Sequence, residues 1–315
     1  MSVLQPDTAP CAACRAAEMV RSADAVADYE YGITPTRPFA FSRCIQCGSE
    51  RLDPTPSEAE LLSFYPPGYH AYNDDHGGVA SVLVGLRARL RARAYAALVG
   101  GKPGALYDVG AGDCRHFTEL LRYHPFSCAG VEINPRMAER GRARGFDVDT
   151  GTLEATDLSR HIGKYDIVSM NHVLEHVIDP SEVVGRAFQL LRPGGHLVGQ
   201  IPTNTSWEFR QFGRYWAGYH FPRHLHVFSR PGLLRLLMRA GFTTVRIRST
   251  PHVQIALSIQ NLLVARGWNA RLRFGRAWFF GPLLFASLPF EIIQALCGRS
   301  GVIDFEATRP MKSRA

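Results

Sequence analysis

The stretch Tyr107-Asp108-Val109-Gly110-Ala111-Gly112-Asp113-Cys114-Arg115 decides the fold. The apolar run Ala105 to Val109 reads as a strand that leads straight into a glycine loop, with a helix expected just after Cys114. Glycines at such a turn let the backbone approach a ligand closely while a helix N-terminus faces it. Glu132 strengthens the reading. It ends the next apolar run, Ser127 to Glu132, where a carboxylate can accept both hydroxyls of a ribose.

Outward from this unit, apolar strands alternate with helical stretches. Further strands are expected at Phe146 to Asp149, Tyr165 to Met170, His196 to Ile201, Thr243 to Ser249 and Val302 to Thr308. Helix starts are marked by Asn134 before Pro135, Asp179 before Pro180, and Ser229 ahead of Pro231. Such alternation implies right-handed βαβ units, hence a doubly wound α/β domain with a mostly parallel seven-stranded sheet and its ligand beyond the carboxyl ends of the strands.

The glycine loop resembles the first motif of class I S-adenosylmethionine-dependent methyltransferases, acidic-x-G-x-G-x-G, with Asp108 as the acidic residue. Cys114 stands at the third glycine position, a departure that predicts a slightly wider loop or a shifted helix. A nicotinamide-dependent dehydrogenase would need glycine where this chain has Arg115. The likeness extends over residues 100 to 250. Gly130-Val131-Glu132-Ile133-Asn134-Pro135 resembles the second motif, and Gly151-Thr152-Leu153 sits where the adenine is contacted. Tyr165 to Val168 followed by Asn171-His172-Val173-Leu174-Glu175-His176-Val177 resembles the fourth-strand motif, and Leu191 to Leu197 the turn before strand five. The resemblance implies a Rossmann-like methyltransferase fold and S-adenosylmethionine held by Asp108, Gly110, Ala111, Gly112, Glu132, Ile133, Thr152, Leu153, Asn171 and His172.

Four of the seven cysteines form two C-x-x-C pairs, Cys11 with Cys14 and Cys44 with Cys47. In a reducing compartment such pairs read as metal ligands before disulfides, and four thiolates suffice for a closed, structural, tetrahedral zinc. The expected organisation is a zinc-binding module with an aromatic linker over residues 1–75, then the methyltransferase domain over 76–315. Ser57 and Glu60 form a capping box opening a short helix, Tyr65 to Tyr72 an aromatic loop and Asn73 to Gly78 a linker. Cys128 and Cys297 read as small buried hydrophobes.

Two histidine groups call for chemistry. His172-Val173-Leu174-Glu175-His176 formally fits H-x-x-E-H, but its place just after a sheet strand argues against a zinc protease helix. It is closer to quinone-biosynthesis O-methyltransferases, in which E-x-x-E-H is associated with a divalent metal. Here His172 replaces the first glutamate, and the expectation is that Glu175 and His176 organise the pocket without a metal. The run Tyr219-His220-Phe221-Pro222-Arg223-His224-Leu225-His226-Val227-Phe228-Ser229 resembles the H-E-H-L-x-Y-F-S segment of sugar C-methyltransferases, a family that also resembles this chain in carrying a cysteine module. That likeness assigns acid-base catalysis to His224, with His220 as a second catalytic candidate and Arg223 at the family's glutamate position. His220 and His226 equally suit loop packing.

The formal charge of +8 suggests an anionic partner. A basic amphipathic helix is expected around Val79, Leu83, Leu86 and Leu90, among Arg87, Arg89, Arg91 and Arg93. The apolar segment 277–290 is too short and proline-broken to span a bilayer. A core helix, a dimer surface and membrane-surface docking all remain open for it, the last favoured by Arg266, Arg271, Arg273 and Arg276. The opening residues lack the basic and apolar regions of a signal peptide, so a cytoplasmic chain, in part at the inner membrane face, is expected. Residues 171–173 lack the N/D-P-P-aromatic signature of base amino-methyltransferases, and no basic-aromatic stacking platform is visible, so nucleic acid is not the expected partner. A small-molecule or glycan acceptor is: a sugar, nucleotide-sugar or lipid-linked saccharide, with a quinone-type acceptor as the alternative.

Overall fold

The computed structural model describes residues 9–23, 26–66 and 79–311, with side chains of 79–84 left aside. The expected linker at 73–78, the boundary near residue 75 and the aromatic loop beyond Pro66 lie outside the described residues.

The larger of two sheets has seven strands: β4 (Gly104–Val109), β5 (Phe126–Glu132), β6 (Asp147–Thr150), β7 (Tyr165–Asn171), β8 (Leu191–Pro202), β10 (Thr243–Thr250) and β11 (Val302–Thr308). Their spatial order is β10-β11-β8-β7-β4-β5-β6. Strands β6, β5, β4, β7 and β8 run parallel, while β11 lies antiparallel between β8 and β10. The doubly wound, mostly parallel sheet expected from sequence is therefore present. Strand β7 is buried along nearly its whole length, which is why it reads as a continuous apolar run rather than an alternating one. The chain order reverses between β4 and β7, so the carboxyl ends of these two strands open the crevice where such folds bind ligands.

Three crossover helices start where the capping residues place them. Asn134 caps α4 (Pro135–Ala143), Asp179 caps α5 (Pro180–Leu190) and Ser229 caps α7 (Arg230–Arg239), each accepting backbone N–H groups of the first turn. Helix α5 turns Val183, Val184, Ala187 and Leu190 into the core, the 3.6-residue period of a sheet-covering helix.

The smaller sheet was not foreseen. Strands β1 (Met19–Ala23), β2 (Ala40–Cys44) and β3 (Glu50–Asp53) form an antiparallel meander, and its fourth strand is β9 (His226–Val227), taken from the histidine-rich segment. The cysteines Cys11, Cys44 and Cys47 share one hydrophobic cluster with Val168 and Met170 of the large sheet and Leu233 of α7. Helix α1 (Glu58–Ser63) carries the reciprocal capping box of Ser57 and Glu60.

Helix α2 (Val79–Leu98) is present as expected, and of its expected apolar face the side chains of Val79 and Leu83 lie outside the described ones. Leu86 and Leu90 are exposed, and the helix packs through Ala92 and Tyr95 against α3 (Arg115–Leu121) and β4. Ala92 and Tyr95, on the side of the helix opposite the leucines, make the contact. The remaining α-helices are α6 (Trp207–Phe212), α8 (Gln254–Ala265) and α9 (Phe280–Leu296).

Candidate active site

The loop after β4 takes a conformation suited to glycine: Gly110 and Gly112 have φ of +78° and +56°. Cys114 also sits at φ +59°, so the third glycine position keeps glycine's backbone although a side chain occupies it. Gly141 on α4 makes the room, since a Cβ there would lie 2.8 Å from Cys114 Sγ. A Cβ on Gly112, in contrast, would meet nothing within 4 Å, so this side of the loop stays open to a ligand.

Glu132 anchors the loop. Its Oε2 accepts the Gly112 N–H at 2.8 Å and its Oε1 the Asn134 N–H at 2.8 Å. Burial pushes its carboxyl above the usual range, and those two N–H groups pull it back. Asp108 accepts the Ser169 hydroxyl, with His116 Nε2 3.0 Å from its other oxygen. Ile133 is exposed beside Glu132, and Thr152 lies in the turn after β6. The Leu153 side chain is instead buried in the core. Asp108, Gly110, Ala111, Gly112, Glu132, Ile133, Thr152 and Asn171 thus gather at or just beyond the carboxyl ends of β4, β5, β6 and β7.

His172 follows β7 at φ +55° and is held between Glu175 Oε1 at 3.1 Å and Gln200 Oε1 at 3.0 Å. Gln200 donates its amide to Asp304 at 2.7 Å, which fixes its oxygen toward the histidine. Burial alone would lower His172, but the Glu175 carboxylate outweighs it and raises the imidazole's pKa. An oxygen beside each ring nitrogen thus favours the charged form of His172.

The second histidine group is buried. His224 is 7% exposed, its Nδ1 2.8 Å from the Gly218 carbonyl and its ring 4.6 Å from that of His176. The carbonyl fixes the proton on Nδ1 and leaves Nε2 as the basic lone pair. Burial, followed by the neighbouring His176 and His220, lowers its pKa well below the usual histidine value, so it is neutral at pH 7. Glu175, His176 and His224 bring ligand atoms within 4.8 Å of one another, a grouping that joins the two sequence motifs.

His220 belongs to a different network. Its Nδ1 meets Glu30 at 3.0 Å and its Nε2 accepts from Arg223 Nε at 2.9 Å. Arg223 in turn reaches Asp28 through both terminal nitrogens. Asp28 and Glu30 lie in the N-terminal module, some 190 residues away, and no spacing signal in the sequence could have paired them. Gln200 and Tyr65, whose hydroxyl lies 3.1 Å from His176 Nδ1, were likewise invisible to motif reading. His226, in β9 of the module sheet, is buried, with its Nε2 3.4 Å from the Ile178 carbonyl oxygen.

The four module cysteines converge. Cys11 and Cys47 Sγ are 3.6 Å apart and Cys14 and Cys44 Sγ 3.5 Å apart, with all four within 4.8 Å. A disulfide needs about 2.05 Å, whereas tetrahedral zinc with bonds of about 2.3 Å separates its sulfurs by about 3.8 Å. Both knuckles turn through a left-handed residue, Arg15 at φ +63° and Gly48 at φ +77°. The second is tied to the catalytic domain, as Cys47 O accepts the Ser229 hydroxyl and Gly48 O accepts Asn204 Nδ2 at 2.7 Å.

Residues 85–247, more than half of the chain, match the family model described as a methyltransferase domain. A ubiquinone biosynthesis O-methyltransferase of Psychrobacter cryohalolentis is 32% identical over 94 residues, covering 22% of this chain and 37% of that protein. The enzyme of the same description from Cupriavidus pinatubonensis is 28% identical over 148 residues, covering 38% and 59%. The chain thus spans about half the length of the curated relatives it matches. A solved S-adenosylmethionine-dependent methyltransferase from Archaeoglobus fulgidus superposes with a TM-score of 0.46 at 18% identity, covering 71% of this chain and 94% of that one. With its glycine loop, its Glu132 and its β10-β11-β8-β7-β4-β5-β6 sheet, the chain belongs to the methyltransferase-domain family, in the class I S-adenosylmethionine-dependent fold.

Proposed function

We propose that this chain transfers the methyl group of S-adenosylmethionine to a hydroxyl oxygen of a sugar carried on a nucleotide or a lipid. The choice of oxygen over carbon rests on Arg223. It stands where sugar C-methyltransferases have a glutamate, and its guanidinium is committed to Asp28, so a cation replaces that family's carboxylate next to His224 in the chain, while the nearby Glu175 carboxylate is engaged by His172. The saccharide rests on the residues of the His220 to Ser229 segment and on that segment being the fourth strand of the cysteine module.

S-adenosylmethionine, held by the Gly110 to Gly112 loop, Glu132 and the turn at Thr152 and Leu153, supplies an electrophilic sulfonium methyl. Asp108 and Ser169 brace the loop from β4 and β7. His224 takes the acceptor's hydroxyl proton on Nε2, and the fixed Nδ1–H keeps the ring in the tautomer that task needs. His172, Glu175 and His176 shape the pocket. The zinc we assign to Cys11, Cys14, Cys44 and Cys47 is structural, because four thiolates close the tetrahedron.

A second reading, a quinone-type phenolic acceptor, is favoured by the names of the curated relatives and by the Glu175, His176, His224 grouping, which suits a divalent cation. Mass spectrometry of glycans and lipids from cells with and without the protein decides between them. A methyl increment on a glycan supports the proposal, and one on a quinone precursor replaces it.

A further inference from the structure

Helix α9 is inside out. Its polar residues Ser287, Glu291 and Gln294 face the protein and are at most 5% exposed, while Phe285, Leu288, Ile292 and Leu296 form an outward stripe, 78%, 44%, 43% and 82% exposed. The inward polar groups are used: Glu291 Oε1 accepts the Ile255 N–H at 2.7 Å and Gln294 Oε1 the Glu208 N–H at 3.3 Å. Phe290 and Ile293 widen the apolar face. Helix α8 likewise buries polar residues, Gln254, Ser258, Gln260 and Asn261, together with Ala256 and Leu257. At the N-terminal end of α9 the exposed Trp268 and Trp278 flank Phe279, with ring centroids 6.4 and 5.4 Å away. A contiguous apolar surface of this size marks a docking face, and the inward polar side removes the option of a core helix.

The charge around it identifies what docks. Residues 254–303 contain five arginines, Arg266, Arg271, Arg273, Arg276 and Arg299, no lysine, and a single carboxylate, the buried Glu291. In a two-fold dimer the patch would face itself, and its exposed arginines would find no carboxylate from the same segment. A bilayer carrying anionic headgroups supplies both the apolar layer and the negative charge, and tryptophans beside arginines suit the interface between them. Among the described residues no helix is long and apolar enough to cross a membrane, so the geometry is that of a helix lying in the surface.

We propose that the outer face of α9, with the arginine and tryptophan loop that precedes it, docks this protein onto an anionic phospholipid surface. The test is co-sedimentation of the full chain with vesicles of phosphatidylglycerol and phosphatidylcholine, against vesicles of phosphatidylcholine alone. The wild type should sediment with the anionic vesicles. Phe285→Glu with Ile292→Glu should lower the bound fraction at least tenfold, and Arg271→Glu with Arg273→Glu should remove the preference for anionic lipid. Both variants should keep the wild-type melting temperature and affinity for S-adenosylhomocysteine, since these side chains face outward. Absence of wild-type binding, or binding that neither pair of substitutions weakens, overturns the proposal. So does a dimer in light scattering that Phe285→Glu with Ile292→Glu splits while the vesicles leave the protein in solution, which assigns the face to a second copy of the chain.

Discussion

Arg223 and Asp28 form a two-pronged ion pair, Nη1 to Oδ2 at 2.9 Å and Nη2 to Oδ1 at 3.0 Å, with side chains 0% and 1% exposed. It joins the middle of the histidine-rich segment to the N-terminal module, across 195 residues of sequence. Asp28 also caps its own turn, accepting the N–H groups of Glu30, Tyr31 and Ile33. The pair therefore fixes both the module's loop and the segment that carries His224.

Breaking it should be costly. Asp28→Ala leaves a guanidinium buried without its carboxylate, a loss of about 3–5 kcal/mol in comparable pairs, and thermal melting should show a correspondingly large fall. Arg223→Met combined with Asp28→Ala should recover part of that loss. Equal melting temperatures for wild type and Asp28→Ala would show that the pair contributes nothing net.

His224→Asn should leave cofactor affinity nearly intact and lower turnover by about two or more orders of magnitude, the usual acid-base contribution. Chelator should leave turnover unchanged while the module retains its zinc. A merely packing role for His224 predicts instead a fall in melting temperature that parallels the fall in activity. A stable, cofactor-competent variant with full turnover eliminates His224 as the base, and chelator-sensitive turnover moves the site to the metal-assisted reading.

The cysteine cluster predicts one zinc per chain in protein purified without added metal, measured by elemental analysis. Because Cys11, Cys44 and Cys47 share a core with the large sheet, strong chelation should lower the melting temperature of the whole chain. Disulfides among these cysteines under reducing conditions, or full stability without metal, would contradict the assignment.

Two carboxyls set the alkaline limb of stability. Burial, with Glu291 beside it, pushes Glu208 up to about 8, and burial pushes Glu291 up to about 7. The folded chain thus holds protons that the unfolded chain releases near 4.5. The stability they contribute is complete below that value and lost as pH rises to about 8. Glu208→Gln should raise the melting temperature at pH 8 by several degrees and change it little at pH 5. The buried His226, lowered to about 4, acts on the other side, weakening the fold as pH falls from about 6.5. A Glu208→Gln variant no more stable than wild type at pH 8 would show that the carboxyl is not held protonated.

The parallel sheet was legible because local chemistry specifies it. Apolar runs such as Tyr165 to Met170, the caps Asn134, Asp179 and Ser229, and the glycine turn each act within a few residues. What stayed hidden depends on distant partners. β9 is two residues long and exists only because β3 lies beside it, and Arg223 reads as a departure from a motif until Asp28 is seen against it. Helix α2 illustrates a third case: its leucines have the right spacing, yet Leu86 and Leu90 are exposed and Ala92 and Tyr95, on the other side, pack with residues of α3 and β4. The inversion of α9 was partly legible in its apolar composition, but which face turned outward depended on α8 and Glu208.

The account stands most directly on Glu132, which braces the glycine loop and is assigned the cofactor's ribose. Isothermal calorimetry with S-adenosylhomocysteine should show one molecule bound per wild-type chain. Glu132→Ala should weaken that binding by roughly 30- to 150-fold, the equivalent of about 2–3 kcal/mol for a lost pair of charge-assisted hydrogen bonds. No binding by the folded wild-type chain, or equal affinity in the Glu132→Ala variant, would contradict it.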